Sequence, residues 1–315
     1  MERVARAVLP SVAELDWASE PSSAGAMSPP TLAGLTTRAL GAYYTPPTAA
    51  RVLAQWALRR SGDRLLEPSM GEGAFLRAVQ IEESQRGIVS EIWGVEIASD
   101  TYEKTASSGV IERSHAICSD FLEVKPFEVD AVIGNPPYVR LRNLPNGKGT
   151  RAHRLAERLL KAPMDPSGSV WMPFVLHSTE FLAANGRLAL VLPYDLTYVR
   201  YARPLWQFLG ARFGELRVIR VHERMFPDIL QETVLLLADS YGGRSTEIVF
   251  EAYETVAQLG HARPAVQAKI SILEVVAGER AFVEALLPSE AISLLHGRLA
   301  QLTVPARDLV TFNIG

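Results

Sequence analysis

Leu65-Leu66-Glu67-Pro68-Ser69-Met70-Gly71-Glu72-Gly73-Ala74-Phe75-Leu76 is the stretch on which the fold turns. A short apolar run ends in an acid, two glycines flank one residue, and an apolar-spaced segment follows. That order predicts a strand, a tight turn and a helix start. Glycine carries no Cβ, so the backbone can approach a neighbour there that a side chain would strike. The helix start behind it leaves backbone amides without intrahelical partners. Such a turn is either a plain strand-to-helix connection or a cradle for a ligand. The pattern repeats on both sides. Helices are predicted at 48–60, 74–80, 99–107, 170–184 and 197–209. Strands are predicted at 64–67, 91–97, 115–118, 129–134, 187–192 and 216–221. Segments 232–239 and 247–250 flank Gly242-Gly243 and read as a hairpin. Strands alternating with helices make an α/β fold, an open and mostly parallel sheet covered on both faces. The terminal hairpin adds antiparallel strands.

Composition sets the frame. The chain has 315 residues, 48% hydrophobic, with a formal charge of −3. That suffices for one large α/β domain with an appendage. Residues 1–37 are rich in Ala, Ser and Pro and read as a flexible extension. Residues 38–260 carry the alternation, with order starting at Gly41-Ala42-Tyr43-Tyr44-Thr45-Pro46-Pro47. In 261–315 the pattern weakens: 265–275 and 279–287 fit strand or helix, and 288–301 fits helix. That segment reads as a C-terminal piece, the start of a further region. The single cysteine, Cys118, excludes a disulfide framework and a cysteine-rich zinc site, and no metal site is expected. The apolar runs at 188–192 and 234–238 are too short to cross a bilayer, and no secretory signal precedes them. A cytoplasmic protein without a membrane partner is the expectation. The negative net charge means that any nucleic-acid contact must be local.

Two acids follow the glycine turn. Glu96 ends the apolar run Ile92-Trp93-Gly94-Val95. An acid there can accept from two ribose hydroxyls, or it is a solvated strand-end carboxylate. Asp120 follows the next strand with Phe121 beside it. The carboxylate can accept from an adenine amine while the aromatic packs on the ring. The alternative is a helix cap and a core phenylalanine.

Val132-Ile133-Gly134-Asn135-Pro136-Pro137-Tyr138 carries the most specific signal. An apolar strand runs into a double proline, which fixes the backbone and restricts the preceding residue. The Asn135 amide oxygen and the Pro136 carbonyl are thereby held as two aligned acceptors. A flat amine such as the exocyclic group of adenine is a poor nucleophile, because its lone pair is delocalised. Two acceptors on its hydrogens favour a pyramidal nitrogen, by positioning and electrostatics and without a strong base. Tyr138 is placed to stack on the base, which in a duplex must swing out of the helix. The plain reading is a rigid turn with a packing tyrosine.

In content and order these motifs resemble the N6-adenine-specific DNA methyltransferases of restriction–modification systems, type II or IIG-like, over about residues 41–240. The resemblance implies a class I, Rossmann-like methyltransferase fold and S-adenosyl-L-methionine as cofactor. It places Thr45, Glu67, Ser69, Gly71, Gly73, Glu96, Ile97, Asp120, Phe121, Asn135 and Pro137 around that cofactor. It makes Asn135, Pro136 and Tyr138 catalytic, with Tyr138 and Phe226 against the flipped base. The partner implied is DNA, with a separate specificity or restriction subunit as a further candidate.

After Tyr138 come Arg140, Arg142, Lys148, Arg151, Arg154, Arg158 and Lys161, with Arg200 and Arg203 further on. They read as a mobile basic loop gripping phosphates, Arg140 and Arg142 nearest the base, or as a solvated insertion and the basic face of a short helix. Two other functions fit the motifs: methylation of RNA adenine or of a protein Gln or Asn amide, and a non-catalytic subunit of a defence complex that binds cofactor or DNA.

Overall fold

The computed structural model describes residues 45–144, 147–165, 167–225, 232–294 and 297. Helix α1 (Pro47–Ala57) leads into β1 (Arg64–Glu67), α2 (Ala74–Arg86), β2 (Glu91–Glu96), α3 (Ser99–Ala106), β3 (Ala116–Cys118) and β4 (Val129–Gly134). Then come α4 (Lys148–Leu160), α5 (Trp171–Ser178), β5 (Leu182–Pro193), α6 (Arg203–Gly210), β6 (Phe213–Val221), β7 (Thr233–Tyr241) and β8 (Glu247–Tyr253). The described elements end with β9 (Val266–Ser271), α7 (Ile272–Ala277) and α8 (Ser289–Leu294).

All the strands join one sheet in the order β3-β2-β1-β4-β5-β7-β6-β8-β9. From β3 to β5 every pairing is parallel. β7 runs antiparallel to β5 and β6, β8 is parallel to β6, and β9 closes the edge antiparallel to β8. This is the expected α/β sheet. The apolar runs have a direct cause. In β5, Leu188, Leu190 and Leu192 enter the core on one face, and Ala189 and Val191 enter the other. A central strand with helices on both sides has no wet face, so it reads as a continuous apolar run. Leu53 of α1 and Phe75 of α2 cover one face; Trp171 of α5 and Leu205 of α6 cover the other.

Several expectations are corrected. The hairpin is not formed by β7 and β8, which are separated by β6. The antiparallel hairpin is β6–β7. The glycine turn instead carries the chain across the end of β6: the Gly242 amide donates to Arg212 O at 2.7 Å and Ser245 to Gly210 O at 2.8 Å. The helix at 170–184 stops at Ser178, a 3-10 turn spans Thr179–Phe181, and β5 starts at Leu182. β5 pairs with β4 at Leu182 and resumes at Arg187, across Asn185 at φ 62°. Of 197–209, the α-helix occupies only Arg203–Gly210, after a 3-10 turn at Arg200–Ala202. Segment 265–275 is both strand and helix, β9 then α7. A boundary at 260 falls between two paired strands, β8 and β9. Beyond it Phe282 is fully buried, its ring 5.2 Å from Trp206 and 5.9 Å from Phe250. The extension at 1–37, Gly41 to Tyr44 and most of 295–315 lie outside the described residues. Among the described residues no helix is long and apolar enough to cross a membrane, and no group of His, Cys, Asp and Glu is placed to hold a metal ion.

Candidate active site

Four parallel strands end side by side, and each delivers one polar group. Glu67 closes β1, Glu96 closes β2, Asp120 follows β3 and Asn135 follows β4. The strand order 3-2-1-4 sets them in a row at the carboxyl edge, where open α/β sheets bind ligands.

The glycine turn spans the middle of that row. Gly71 and Gly73 have φ of +50° and +81°, which L side chains rarely adopt. A Cβ on Gly73 would also press Val110, Leu76 and Thr105 at 3.2–3.3 Å. Glu96 braces the turn from below: its oxygens accept from the Gly71 amide at 3.0 Å and the Ala98 amide at 2.8 Å. Ile97, beside it, is a 47%-exposed apolar side chain at the cleft edge. Glu67 is buried, and its Oε2 has no partner among the described residues. Burial pushes its carboxyl well above the usual value of 4.5, and the nearby Glu96 adds to the rise; Arg77 and the Leu76 amide oppose it. Burial likewise raises Glu96, against the pull of the Ala98, Gly71 and Ile97 amides.

At the end of β4 the double-proline turn is held by side chains from three elements. The Asn135 Nδ2 donates to Thr45 Oγ1 at 3.2 Å, and Ser69 Oγ donates to the Asn135 carbonyl at 3.1 Å. The Tyr138 hydroxyl shares its one hydrogen between Asn135 Oδ1 at 2.6 Å and the Val191 carbonyl at 3.0 Å. The amide therefore has one orientation, its oxygen toward the Tyr138 side. Pro136 is buried, while Asn135, Pro137 and Tyr138 are half-buried. Thr45, Ser69, Asn135 and Tyr138 thus meet in one network, joined through the glycine turn to Glu67, Gly71, Gly73 and Glu96.

Asp120 does cap the 3-10 turn behind it, its Oδ1 accepting from the Leu122 amide at 3.2 Å. The Phe121 ring is corrected: it is buried among Phe174, His177 and Phe181, at centroid distances of 5.0–5.3 Å, and does not face the cleft. Of the two readings of the basic stretch, the basic face of a short helix is the one that the structure bears out. From residue 148 it is the helix α4, and three of its cations are held by carboxylates. Lys148 bonds Asp120 at 3.1 Å, Arg151 bonds Glu123 at 3.2 Å and Arg158 bonds Glu180 at 3.1 Å. Arg140 is exposed and donates to Ser167 O at 3.0 Å. Arg142, Arg154 and Arg200 are exposed. Arg203 lies against the Gly278 backbone rather than over the cleft. Phe226 lies outside the described residues. Sequence reading missed the Lys148–Asp120 contact, because nothing in a spacing of 28 residues marks the pair.

The row of acids, the braced turn and the Asn-Pro-Pro-Tyr network lie within or beside a single family match. Residues 31–200, more than half of the chain, fit the family described as N-6 DNA Methylase. The chain belongs to that family. Among curated relatives, the chain is 30% identical over 217 residues to the type II methyltransferase M.TthHB8I of Thermus thermophilus, covering 66% of this chain and 46% of that one. It spans less than half the length of the curated relatives it matches first. Among solved structures it resembles the methyltransferase subunit of a type I restriction-modification system from Streptococcus thermophilus, at a TM-score of 0.59 and 19% identity, covering 75% of this chain and 57% of that one. It also resembles a class I S-adenosylmethionine-dependent methyltransferase from Listeria monocytogenes, described there as a candidate, at 0.56 and 15%, covering 69% and 71%. The fold is accordingly that of the class I methyltransferases.

Proposed function

We propose that the chain transfers a methyl group from S-adenosyl-L-methionine to the exocyclic N6 amine of an adenine swung out of DNA, as the modification activity of a restriction–modification system. The observation that carries this is the Thr45–Asn135–Tyr138–Val191 network, which presents one amide oxygen in one orientation at the end of β4.

The residues fit the cofactor. Glu67 offers a buried, unpartnered carboxylate oxygen, the natural counterpart of a cationic group. Glu96 retains lone pairs for a ribose diol, Ile97 offers an apolar cover, and Asp120 offers an acceptor for an adenine amine. Phe121 contributes through its backbone alone, since its ring is in the core. Thr45, Ser69 and Pro137 line the approach to Asn135. When bound, the cofactor supplies an electrophilic methyl group on a sulfonium. The chain's own work is to hold the amine. Asn135 Oδ1 and the Pro136 carbonyl accept its two hydrogens, so the lone pair leaves conjugation and points at the methyl carbon. Neither group titrates, so the surplus proton departs to solvent after transfer. Tyr138 and, beyond the described residues, Phe226 are the candidates to sandwich the base. Arg140, Arg142, Arg154 and Arg200 are exposed cations for phosphates. Such contacts set affinity and register, while the choice of sequence is assigned to base-reading elements, on this or a specificity chain.

Replacing Asn135 by Ala tests the reading. Incorporation of labelled methyl into adenine of duplex DNA should fall at least about a hundredfold, a loss in the range seen for a missing oriented hydrogen-bonding group. Cofactor affinity should change little. Undiminished transfer by the variant would remove Asn135 from the mechanism.

A further inference from the structure

The basic helix after the catalytic turn places a cation on the carboxylate assigned to the cofactor's purine. We infer that Lys148 is a positioning residue of the purine subsite, and that it makes the subsite select a 6-amino over a 6-oxo purine. This rests on the reading of Asp120 given under the proposed function.

Asp120 is held at both oxygens. Its Oδ1 accepts from the Leu122 amide at 3.2 Å, and its Oδ2 accepts from Lys148 Nζ at 3.1 Å. Turning the carboxylate would break both contacts, so its remaining lone pairs have one direction. Lys148 is itself fixed. It is the first residue of α4, and its neighbour Gly149 lies against the Leu141 carbonyl. One turn later Arg151 bonds Glu123, in the same 3-10 turn that Asp120 caps. The Lys148 and Asp120 side chains are only 29% and 15% exposed, so solvent screens the pair less than an open surface pair.

The chemistry follows from the hydrogen-bond roles. An ionised carboxylate only accepts. A 6-amino purine presents two hydrogens at that edge, while a 6-oxo purine presents lone pairs. A carboxylate that cannot turn away refuses the oxo form, and one released from its cation can rotate aside and lose the distinction. A site built to bond one polar group discriminates strongly against its absence.

Calorimetric dissociation constants of S-adenosylhomocysteine and its 6-oxo counterpart, S-inosylhomocysteine, on the full chain test this. The unaltered protein should prefer the amino form by roughly tenfold or more, the worth of one bond to a charged group. Lys148→Met should shrink the preference to within about threefold, by weakening the amino form and easing the oxo form. Lys148→Arg should restore it, and Lys269→Met, which breaks an exposed ion pair with Glu247 on β8, should leave it intact. Melting temperatures identify any variant that fails to fold, and Lys148→Arg then carries the comparison, since loss of the preference in that folded variant would count against the inference. Equal weakening of both ligands in Lys148→Met would reduce Lys148 to a structural role and overturn the inference, as would an unchanged ratio. Asp120→Asn separates the two levels. If it erases the preference and Lys148→Met does not, only the role of Lys148 fails. If Asp120→Asn binds tightly and keeps the full preference, the purine reading of Asp120 fails as well.

Discussion

Glu67 is a carboxylate almost wholly out of water, with one oxygen unbonded among the described residues. Burial first and Glu96 second raise its pKa well above 4.5, so the folded chain holds a proton there that the unfolded chain has released. Above pH 4.5 the native state therefore binds more protons than the unfolded one. Stability contributed by this group is present below 4.5 and is lost as pH rises through the raised value. A cationic cofactor reverses the burden by pulling the carboxyl back down. Binding of S-adenosylmethionine should then release protons and tighten as pH rises through that window. Calorimetry in buffers of different ionisation heat reads the release directly; Glu67→Gln should diminish it, leaving the part due to Glu96, and an undiminished release would show that Glu67 is not the group. Glu67, Asn135 and Tyr138 were legible in the sequence because each sits at a fixed offset from an apolar strand end. For Phe121 the sequence left two readings open, because an aromatic beside an acid looks the same whether it faces the cleft or the core. Only the packing of Phe174, His177 and Phe181 decides that.

α4 shows what an element adds to its residues. Its charges read from sequence either as a phosphate-gripping loop or as the basic face of a short helix, and Lys148, Arg151 and Arg158 tie that helix to acids on the protein. The tie begins at a close approach: Gly149 sits where any Cβ would overlap the backbone carbonyl of Leu141. The clash is with main chain, so no side chain can swing away to relieve it. Gly149→Ala should force the first turn of α4 off Leu141–Asn143 and destabilise the protein by about 1–3 kcal/mol, the usual range for overpacking. Urea denaturation measures this, and an unshifted midpoint would mean that α4 does not rest on Leu141. Elements with a clear period, such as β1, β4 and α2, were legible from sequence with their starts in place. The pairing of β7 was not, because apolarity on both faces marks a central strand without naming its neighbours.

At the scale of the whole molecule the question is where the catalytic body stops. The sequence pattern fades near 260, since β9 alternates polar and apolar as an edge strand does and α7 is short. Its fading coincides with the edge strand of the sheet. β9 completes the pairing of β8, and Phe282 fills a site between Trp206 of α6 and Phe250 of β8, both in the main core. If 261–294 were a separate appendage, loss of the Phe282 ring would leave the unfolding of the sheet unchanged. If it belongs to the same cooperative unit, Phe282→Ala should cost about 3–5 kcal/mol, as for other fully buried aromatics, and lower a single unfolding transition without splitting it. Chain cut after residue 260 should fare worse. It would bare the β8 edge together with the apolar surface that Phe282 covers, and should be recovered aggregated. Circular dichroism during thermal unfolding of the two proteins, read with their solubility, distinguishes the cases. A soluble, folded fragment ending at 260 with the parent's cofactor affinity would place the boundary of the methylase body at β8.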